Sequence, residues 1–459
     1  MVQRIAMLSV HTSPLARLGG KEAGGMNVYV RELTRELGRR GVAVDVFTRA
    51  QSPHEPHITE MGANARLITL HTGPAAPYDK NQILDYLPEF VGRVRCFAED
   101  EDLQYDVIHS HYWVSGAAAL ELRTMWGTPI IQMFHTLGAM KNQVAKLAAW
   151  SESDARMEIE GRLLREVDAV VAATPLDRQQ MIWNYGVDGA NISVIPGGVD
   201  TQTFRPHGRL AARTRLRLPV APAKIVLFVG RIEPLKGIDT LIQALGLVVA
   251  RRPEWRRALG LLIVGGDART SGDQWAGEQQ RLRGLVATLG LNDVVQFVGS
   301  RPQHELPWLY SAADVVVVPS HYESFGFVPL EAQASGTPVV ASKVGGLQFT
   351  IRDGESGFLV PFDAPAAFAD RIEQLLDDAG LRERMGQAAV RNAARYSWPT
   401  ITDDMLAFYN KVERQRSPVH TIAPLGVVKA AANERACRTC EAVQLPVPCP
   451  LLAACPTSS

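Results

Sequence analysis

Cysteine is scarce in this sequence and is concentrated at one end. Of the five cysteines in 459 residues, only Cys96 precedes residue 437. A body with one thiol cannot depend on internal disulfides, which agrees with a reducing compartment. The other four follow the spacing C-x2-C-x8-C-x5-C, which is wide for a zinc finger, so we interpret them as parts of an unpacked tail. They are Cys437, Cys440, Cys449 and Cys455.

Excess charge and long hydrophobic runs are also absent. The 48 Lys and Arg residues balance 48 Asp and Glu residues, so no general attraction to polyanions is expected and a nucleic-acid partner is excluded as the main function. No run of about 18 apolar residues occurs, and no signal-peptide cleavage pattern follows the first apolar segment. We therefore expect a cytoplasmic protein with no transmembrane segment.

What is present is a regular alternation of short apolar runs with amphipathic stretches, which is typical of βαβ units around a parallel sheet. The glycines and prolines of PGGVDTQTFRP interrupt this pattern near the middle of the chain. We predict an α/β fold of two Rossmann-like, doubly wound domains with the site in the cleft between them. The predicted segments are an N-terminal domain at 1–203, a C-terminal domain at 204–396, a closing helix at 397–415 and a disordered tail at 416–459. The predicted strands are 5–10, 42–48, 65–70, 107–110, 130–134, 169–172, 192–195, 225–229, 261–264, 294–297, 315–318 and 338–341.

A glycine-rich loop follows the first predicted strand. Gly24 and Gly25 open the first helix, where backbone amides and the helix dipole can bind a phosphate. Because Gly20-Lys21 is followed by Glu22, the loop lacks the P-loop signature, and it also lacks G-x-G-x-x-G. A P-loop NTPase and a standard dinucleotide site are therefore disfavoured, while a purely structural turn remains an equal alternative.

Two further motifs follow predicted strands of the second half. VGRIEPLKG places Arg231 and Lys236 beside a helix start, which suits a diphosphate because arginine binds it bidentately and lysine acts as a point charge. HYESFGFVPLE contains Glu323 on a loop and Glu331 in the next helix, so one carboxylate can contact a sugar while the other binds ribose hydroxyls. The amides of 326–328 would present a second helix N-terminus to the same ligand.

The motifs E-x7-E, VGRIEPLKG and AGGMNVYV together resemble those of the family-4 retaining glycosyltransferases of GT-B architecture, over about residues 3–412. Within that family the sequence is most similar to the branch that glycosylates inositol 3-phosphate for mycothiol synthesis, and next to bacterial sucrose-phosphate synthases. The resemblance implies a UDP-sugar donor bound by the C-terminal domain and a phosphorylated acceptor bound by the N-terminal domain.

The resemblance also implies the roles of individual residues. Lys80, Tyr112, Thr136 and Arg156 would bind the acceptor phosphate, and His135 would orient the transferred sugar. The implied acceptor set is His11, Gly24, Asn27, Lys80, Tyr112, Thr136 and Arg156. The implied donor set is Gly25, Arg231, Lys236, Arg301, Glu323, Phe325, Gly326, Phe327, Val328 and Glu331. The implied catalytic residues are Glu323, His135, Arg231 and Lys236.

A metal is not expected to take part in the chemistry. Histidines lie near predicted strand ends, but no H-E-x-x-H or D-x-D motif accompanies them, and His109 is interpreted as a core histidine. The resemblance implies a peripheral Mg²⁺ held by backbone atoms near Tyr310, Ser311, Ala313 and Thr337.

The predicted reaction is transfer of N-acetylglucosamine or glucose from a UDP-sugar to a phosphorylated acceptor such as inositol 3-phosphate. Transfer to fructose 6-phosphate is the nearest alternative. Two alternatives from other classes are a UDP-sugar 2-epimerase and a non-catalytic protein that binds sugar nucleotides. The sequence does not decide between a monomer and a homodimer.

Overall fold

The computed structural model describes residues 1–16, 24–74, 76, 82–144, 151–218, 224–266 and 276–415. Lys80 and the cysteine-containing tail at 416–459 lie outside these ranges, so the predictions made for them stay predictions. None of the helices in the described ranges has the length and apolar character needed to span a bilayer.

The N-terminal part of the chain forms a sheet of eight strands among the described residues. Their spatial order is β3-β4-β2-β1-β5-β6-β7-β8, and every neighbouring pair is parallel except β3 with β4. The strands are β1 (Arg4–Leu8), β2 (Ala43–Arg49), β3 (Ile58–Gly62), β4 (Ala65–Leu70), β5 (Val107–His111), β6 (Ile130–Met133), β7 (Ala169–Ala172) and β8 (Ile192–Val194).

A second sheet follows, with six strands in the described ranges and only parallel pairs. Its spatial order is β11-β10-β9-β12-β13-β14. The strands are β9 (Lys224–Val229), β10 (Leu259–Val264), β11 (Val295–Gly299), β12 (Val315–Val318), β13 (Val339–Ser342) and β14 (Gly357–Val360). Two doubly wound α/β sheets are thus present, as predicted.

Helices connect the parallel strands and cover both sheets. They are α1 (Gly25–Arg39), α2 (Leu87–Asp100), α3 (Trp113–Trp126), α4 (Gly138–Val144), α5 (Asp154–Glu166), α6 (Pro175–Tyr185), α7 (Arg209–Leu216), α8 (Ile238–Arg251), α9 (Ala276–Thr288), α10 (Leu306–Ala312), α11 (Phe327–Ala334), α12 (Leu347–Thr350), α13 (Pro365–Asp377), α14 (Ala379–Ala393) and α15 (Trp398–Arg414).

The central strands form where the sequence is continuously apolar and β-branched. All four valines of β12 are buried, as expected for a parallel strand covered on both faces. The predicted strand set was wrong in omitting β3 and β14, each of which lies at one edge of its sheet. Strand β3 mixes apolar and polar residues and is mostly exposed, and β14 has only four residues beginning with glycine, so neither produces a strong apolar signal.

The last helix, α15, returns from the second sheet to the first. It packs against α1, where the Trp398 ring lies edge-on to Tyr29 with 5.5 Å between centroids. Tyr409 of the same helix contacts His109 of β5, at 2.7 Å between its hydroxyl and Nδ1. Residues 1–415 accordingly belong to one compact unit, in which the carboxyl ends of strands from both sheets border one cleft.

Candidate active site in the cleft

A cavity of about 340 Å³ lies between the two sheets. Its N-terminal wall comprises the lining residues from His11 to Gly197, and its C-terminal wall comprises those from Val229 to Glu331. In each sheet the strand order reverses beside the central strand, between β1 and β5 and between β9 and β12, which is where open α/β sheets bind ligands. The predicted site residues on these walls are His11, Gly24, Gly25, Asn27, Tyr112, His135, Thr136, Arg231, Lys236, Arg301, Glu323, Phe325, Phe327, Val328 and Glu331.

The C-terminal wall brings together charged residues that are distant in sequence. Lys236 Nζ lies 2.6 Å from Glu323 Oε2, and both side chains keep about a fifth of their surface exposed. Arg231 Nη2 lies 3.0 Å from Glu233 Oε1. Gly237, at the start of α8, adopts φ 62°, and a Cβ there would meet the carbonyl of Pro319, so glycine permits this close approach. Lys236 and Glu323 therefore form an ion pair at the cavity wall, where a charged ligand can reach it.

Glu331 sits deeper in the same wall. Its carboxylate accepts a hydrogen bond from the Tyr310 hydroxyl at 2.8 Å and is 8% exposed. Burial raises the pKa of Glu331 to about 7, partly offset by that hydrogen bond and by Arg31. This carboxyl group therefore changes its charge close to neutral pH.

Aromatic rings bring the two walls into contact. Phe325 and Phe327 lie edge to face with 5.1 Å between ring centroids. A Cβ on Gly25 would lie 2.7 Å from the Phe327 ring, so only glycine lets the start of α1 approach α11 this closely. Gly326 caps the start of α11 with φ 106° and does not itself line the cavity. Two helix N-termini, those of α1 and α11, consequently meet at one point of the cleft.

Tyr112 follows β5 directly and lines the N-terminal wall. Its backbone adopts φ 74° and ψ 161°, a combination that a residue with a side chain rarely takes and that costs about 1–3 kcal/mol. The His11 ring lies 4.4 Å from the Tyr112 ring. Asn27 is engaged with the first loop, because its amide donates to Thr12 Oγ1 and the Ser13 carbonyl. Strained backbone at a cavity wall is typical of a functional site.

Arg156 does not reach the cavity wall. Its side chain is fully buried behind Tyr112 and Thr136 and forms ion pairs with Glu160 at 2.7 Å and Glu152 at 3.0 Å. It also donates to the Tyr112 hydroxyl at 2.9 Å and to the Thr136 carbonyl at 2.7 Å. The predicted phosphate-binding arginine thus lies next to two of its predicted partners, but its donors already have acceptors.

Three histidines form a row that runs from buried His109 and His111 to half-buried His135 at the cavity. His111 Nδ1 lies 3.0 Å from His135 Nε2, and the His109 and His111 rings are 4.1 Å apart. Burial lowers the pKa of all three below the usual range of histidine. They are therefore neutral at pH 7, and the contact between His111 and His135 needs the donor on one ring and the acceptor on the other. His109 is a core histidine bonded to Tyr409, at 2.7 Å from its hydroxyl.

Lys141 is a cation of the N-terminal wall that sequence reasoning missed. It lies on α4 and lines the cavity together with Tyr112 and Thr136. Its ammonium group lies 3.0 Å from Glu152 Oε1. The only signal in the sequence is its position five residues after Thr136 in FHTLGAMK, and that spacing carries no chemical motif.

Among the residues predicted to hold a peripheral Mg²⁺, Tyr310 has a carbonyl oxygen that already accepts hydrogen bonds. The Tyr310 carbonyl accepts hydrogen bonds from the Thr337 hydroxyl at 2.7 Å and from the Ala313 amide at 3.1 Å. Ser311 donates to the carbonyl of Ser335. Both lone pairs of the Tyr310 carbonyl oxygen are thus in use, so this oxygen could bind the ion only after losing one of these hydrogen bonds.

Comparison with known proteins covers almost the whole described chain. Residues 23–203 match the model described as Glycosyltransferase Family 4, and residues 217–392 match Glycosyl transferases group 1. The D-inositol 3-phosphate glycosyltransferase of Corynebacterium diphtheriae is 39% identical over 89% of this chain and 95% of its own, and that of Kineococcus radiotolerans is 41% identical over 91% and 97%. The solved structure of sucrose-phosphate synthase from Thermosynechococcus elongatus aligns with TM-score 0.82 and 35% identity over 90% of this chain and 100% of that one. Anabaena HepE in complex with UDP-glucose aligns with TM-score 0.68 at 20% identity, over 89% and 99%.

Proposed function

The chain belongs to the family-4 glycosyltransferases and has their GT-B fold, and from that premise we propose that it transfers a hexosyl group from a UDP-sugar to a phosphorylated acceptor with retention of configuration. One observation carries the proposal. A single cavity has the Lys236–Glu323 ion pair on one wall, and Tyr112, Thr136 and Lys141 on the other. An anionic leaving group and an anionic acceptor can thus approach one space from opposite sides.

The C-terminal wall suits the leaving diphosphate. As the bond between the anomeric carbon and the diphosphate oxygen breaks, negative charge grows on UDP and positive charge on the sugar ring. Arg231, Lys236 and the N-termini of α1 and α11 would stabilise the diphosphate, while Glu323 would interact with the sugar. Because the acceptor hydroxyl attacks from the leaving-group face, the diphosphate oxygen would take the hydroxyl proton as the new bond forms. Neutral His135 would orient the sugar by hydrogen bonds.

The choice of substrates follows from the relatives. Inositol 3-phosphate is the acceptor named for the relatives of about 40% identity, and the sucrose-phosphate synthase neighbour makes transfer to fructose 6-phosphate the second candidate. UDP-glucose is the ligand named for the Anabaena neighbour. We propose inositol 3-phosphate with UDP-N-acetylglucosamine as the first pair to test. Arg301 and Glu331 would bind the uridine part of the donor.

The test is to incubate the full chain with UDP-glucose or UDP-N-acetylglucosamine, alone and with inositol 3-phosphate, fructose 6-phosphate or free inositol. Product mass identifies the pair, and the anomeric coupling constant identifies the stereochemistry. We expect transfer to one phosphorylated acceptor, with an α-linked product. A new UDP-sugar formed without acceptor would favour an epimerase, and binding without turnover would favour a non-catalytic protein; either result contradicts the proposal.

A further inference from the structure

The acceptor end of the cavity contains a cation that the predicted phosphate set lacks. Lys141 lies on the N-terminal wall, keeps 24% of its side-chain surface exposed, and carries its charge on a flexible stem. Arg156, behind it, is fully buried. Among the described residues at this end of the cavity, it is therefore Lys141 whose charged group can move to a ligand without exposing the core.

Glu152 connects the two cations. One oxygen, Oε1, lies 3.0 Å from Lys141 Nζ and 3.0 Å from Arg156 Nη1. The backbone of Glu152 is held against α4 by Asn142, whose side-chain oxygen accepts from the Glu152 amide at 2.6 Å and whose nitrogen donates to its carbonyl at 3.3 Å. A carboxylate oxygen bridging two cations occupies the kind of position that a phosphate oxygen takes.

A second carboxylate, that of Glu160, also pairs with Arg156 and explains how this arginine can be buried. Glu160 pairs with Arg156 Nε at 2.7 Å and also accepts from the Gly138 amide at 2.9 Å. This fully buried pair stabilises the start of α4, the helix that contains Lys141. Glu160 therefore compensates Arg156 by itself, and the Glu152 charge is left to compensate Lys141.

From these contacts we infer that Lys141 is a specificity-determining residue that binds the anionic group of the acceptor, with Glu152 acting as an internal anion that the acceptor phosphate displaces. The inference rests on the proposed function, because it needs a phosphorylated acceptor. When the acceptor phosphate displaces Glu152, the Lys141 ammonium exchanges a carboxylate for a phosphate group of higher charge. Arg156 keeps its ion pair with Glu160. No covalent bond changes in this step.

The first experiment compares Lys141→Met with Lys141→Arg and with Lys411→Met, an exposed lysine on α15. Lys141→Met should raise the KM of the phosphorylated acceptor at least tenfold and leave the donor KM and the KM of the unphosphorylated acceptor within twofold. Lys141→Arg should keep most of the affinity, and Lys411→Met should match the wild type. Equal loss with both acceptors, or no loss, would overturn the inference.

The second experiment uses inorganic phosphate as a competitor of the acceptor. Glu152→Gln should lower the inhibition constant of phosphate several-fold, because the internal anion is removed. The double variant with Lys141→Met should lose this gain in phosphate affinity. A gain that persists in the double variant, or an unchanged inhibition constant in Glu152→Gln, would contradict the exchange. If the wild type itself does not discriminate between phosphorylated and free acceptor, the proposed function fails; if it does and Lys141→Met discriminates equally, only this inference fails.

Discussion

The two walls of the cavity hold their charges in different ways. On the C-terminal wall, Lys236 and Glu323 pair at 2.6 Å with about a fifth of each side chain exposed. On the N-terminal side, Arg156 and Glu160 pair at 2.7 Å with no exposure at all. The distances are almost equal, but the first pair can exchange its partner for a ligand, whereas opening the second leaves a charge without a partner in the core. We therefore propose that similar ion pairs serve ligand binding in one wall and structural stability in the other.

The sharpest test of this difference is Arg156→Leu compared with Arg162→Leu on the same helix. Both arginines pair with a glutamate four residues later, at 2.7 Å and 2.9 Å, but Arg162 is 61% exposed. Arg156→Leu should lower the free energy of unfolding by about 3–5 kcal/mol, because Glu160 is left unpaired in the core. Arg162→Leu should cost less than about 1 kcal/mol. Urea unfolding of both variants measures this, and similar losses would contradict the assignment of Arg156 as a structural residue.

Lys236→Ala should instead lower the catalytic rate and leave the stability almost unchanged. Removal of a cation from the leaving diphosphate should cost about 2–4 kcal/mol of transition-state stabilisation, which is roughly a 30- to 1000-fold loss of kcat/KM for the donor. The urea midpoint should stay close to the wild type, because the pair with Glu323 is partly exposed. Lys411→Ala is the control. Wild-type turnover in Lys236→Ala would show that this wall does not bind the leaving group.

The smallest expected effect concerns the pH dependence of donor binding. Burial raises the pKa of Glu331 to about 7, so the carboxylate that would accept hydrogen bonds from ribose is lost as the pH falls through 7. UDP-glucose affinity should fall several-fold from pH 8 to pH 6, and Glu331→Gln should bind more weakly but with a flat profile. Glu355→Gln, at an exposed position, should keep the wild-type slope. Titration calorimetry with UDP-glucose is suitable, since its diphosphate has no ionisation near neutrality. An equal slope in wild type and Glu331→Gln would remove Glu331 from the donor site.

The residues of the C-terminal wall were easier to predict from the sequence than those of the N-terminal wall. All of its charged residues except Arg301 fall within two short segments, VGRIEPLKG and HYESFGFVPLE, each after a strong apolar strand. A strand followed by a helix start determines where such residues lie, because parallel strands direct their carboxyl ends to one edge of the sheet. Arg231, Lys236, Glu323 and Glu331 all line the cavity as that rule predicts.

The residues of the N-terminal wall could be predicted from the sequence only in part. Tyr112 and Thr136 follow β5 and β6 and line the cavity, but nothing in the sequence separated buried Arg156 from cavity-lining Lys141. The alternating apolar runs determined the fold class by themselves, since periodicity is a local property and only edge strands β3 and β14 escaped it. Which cation lines the cavity was decided by the tertiary structure. Burial depends on how α4 packs against α5, and the order of residues in the chain does not encode how deeply that packing buries each of them.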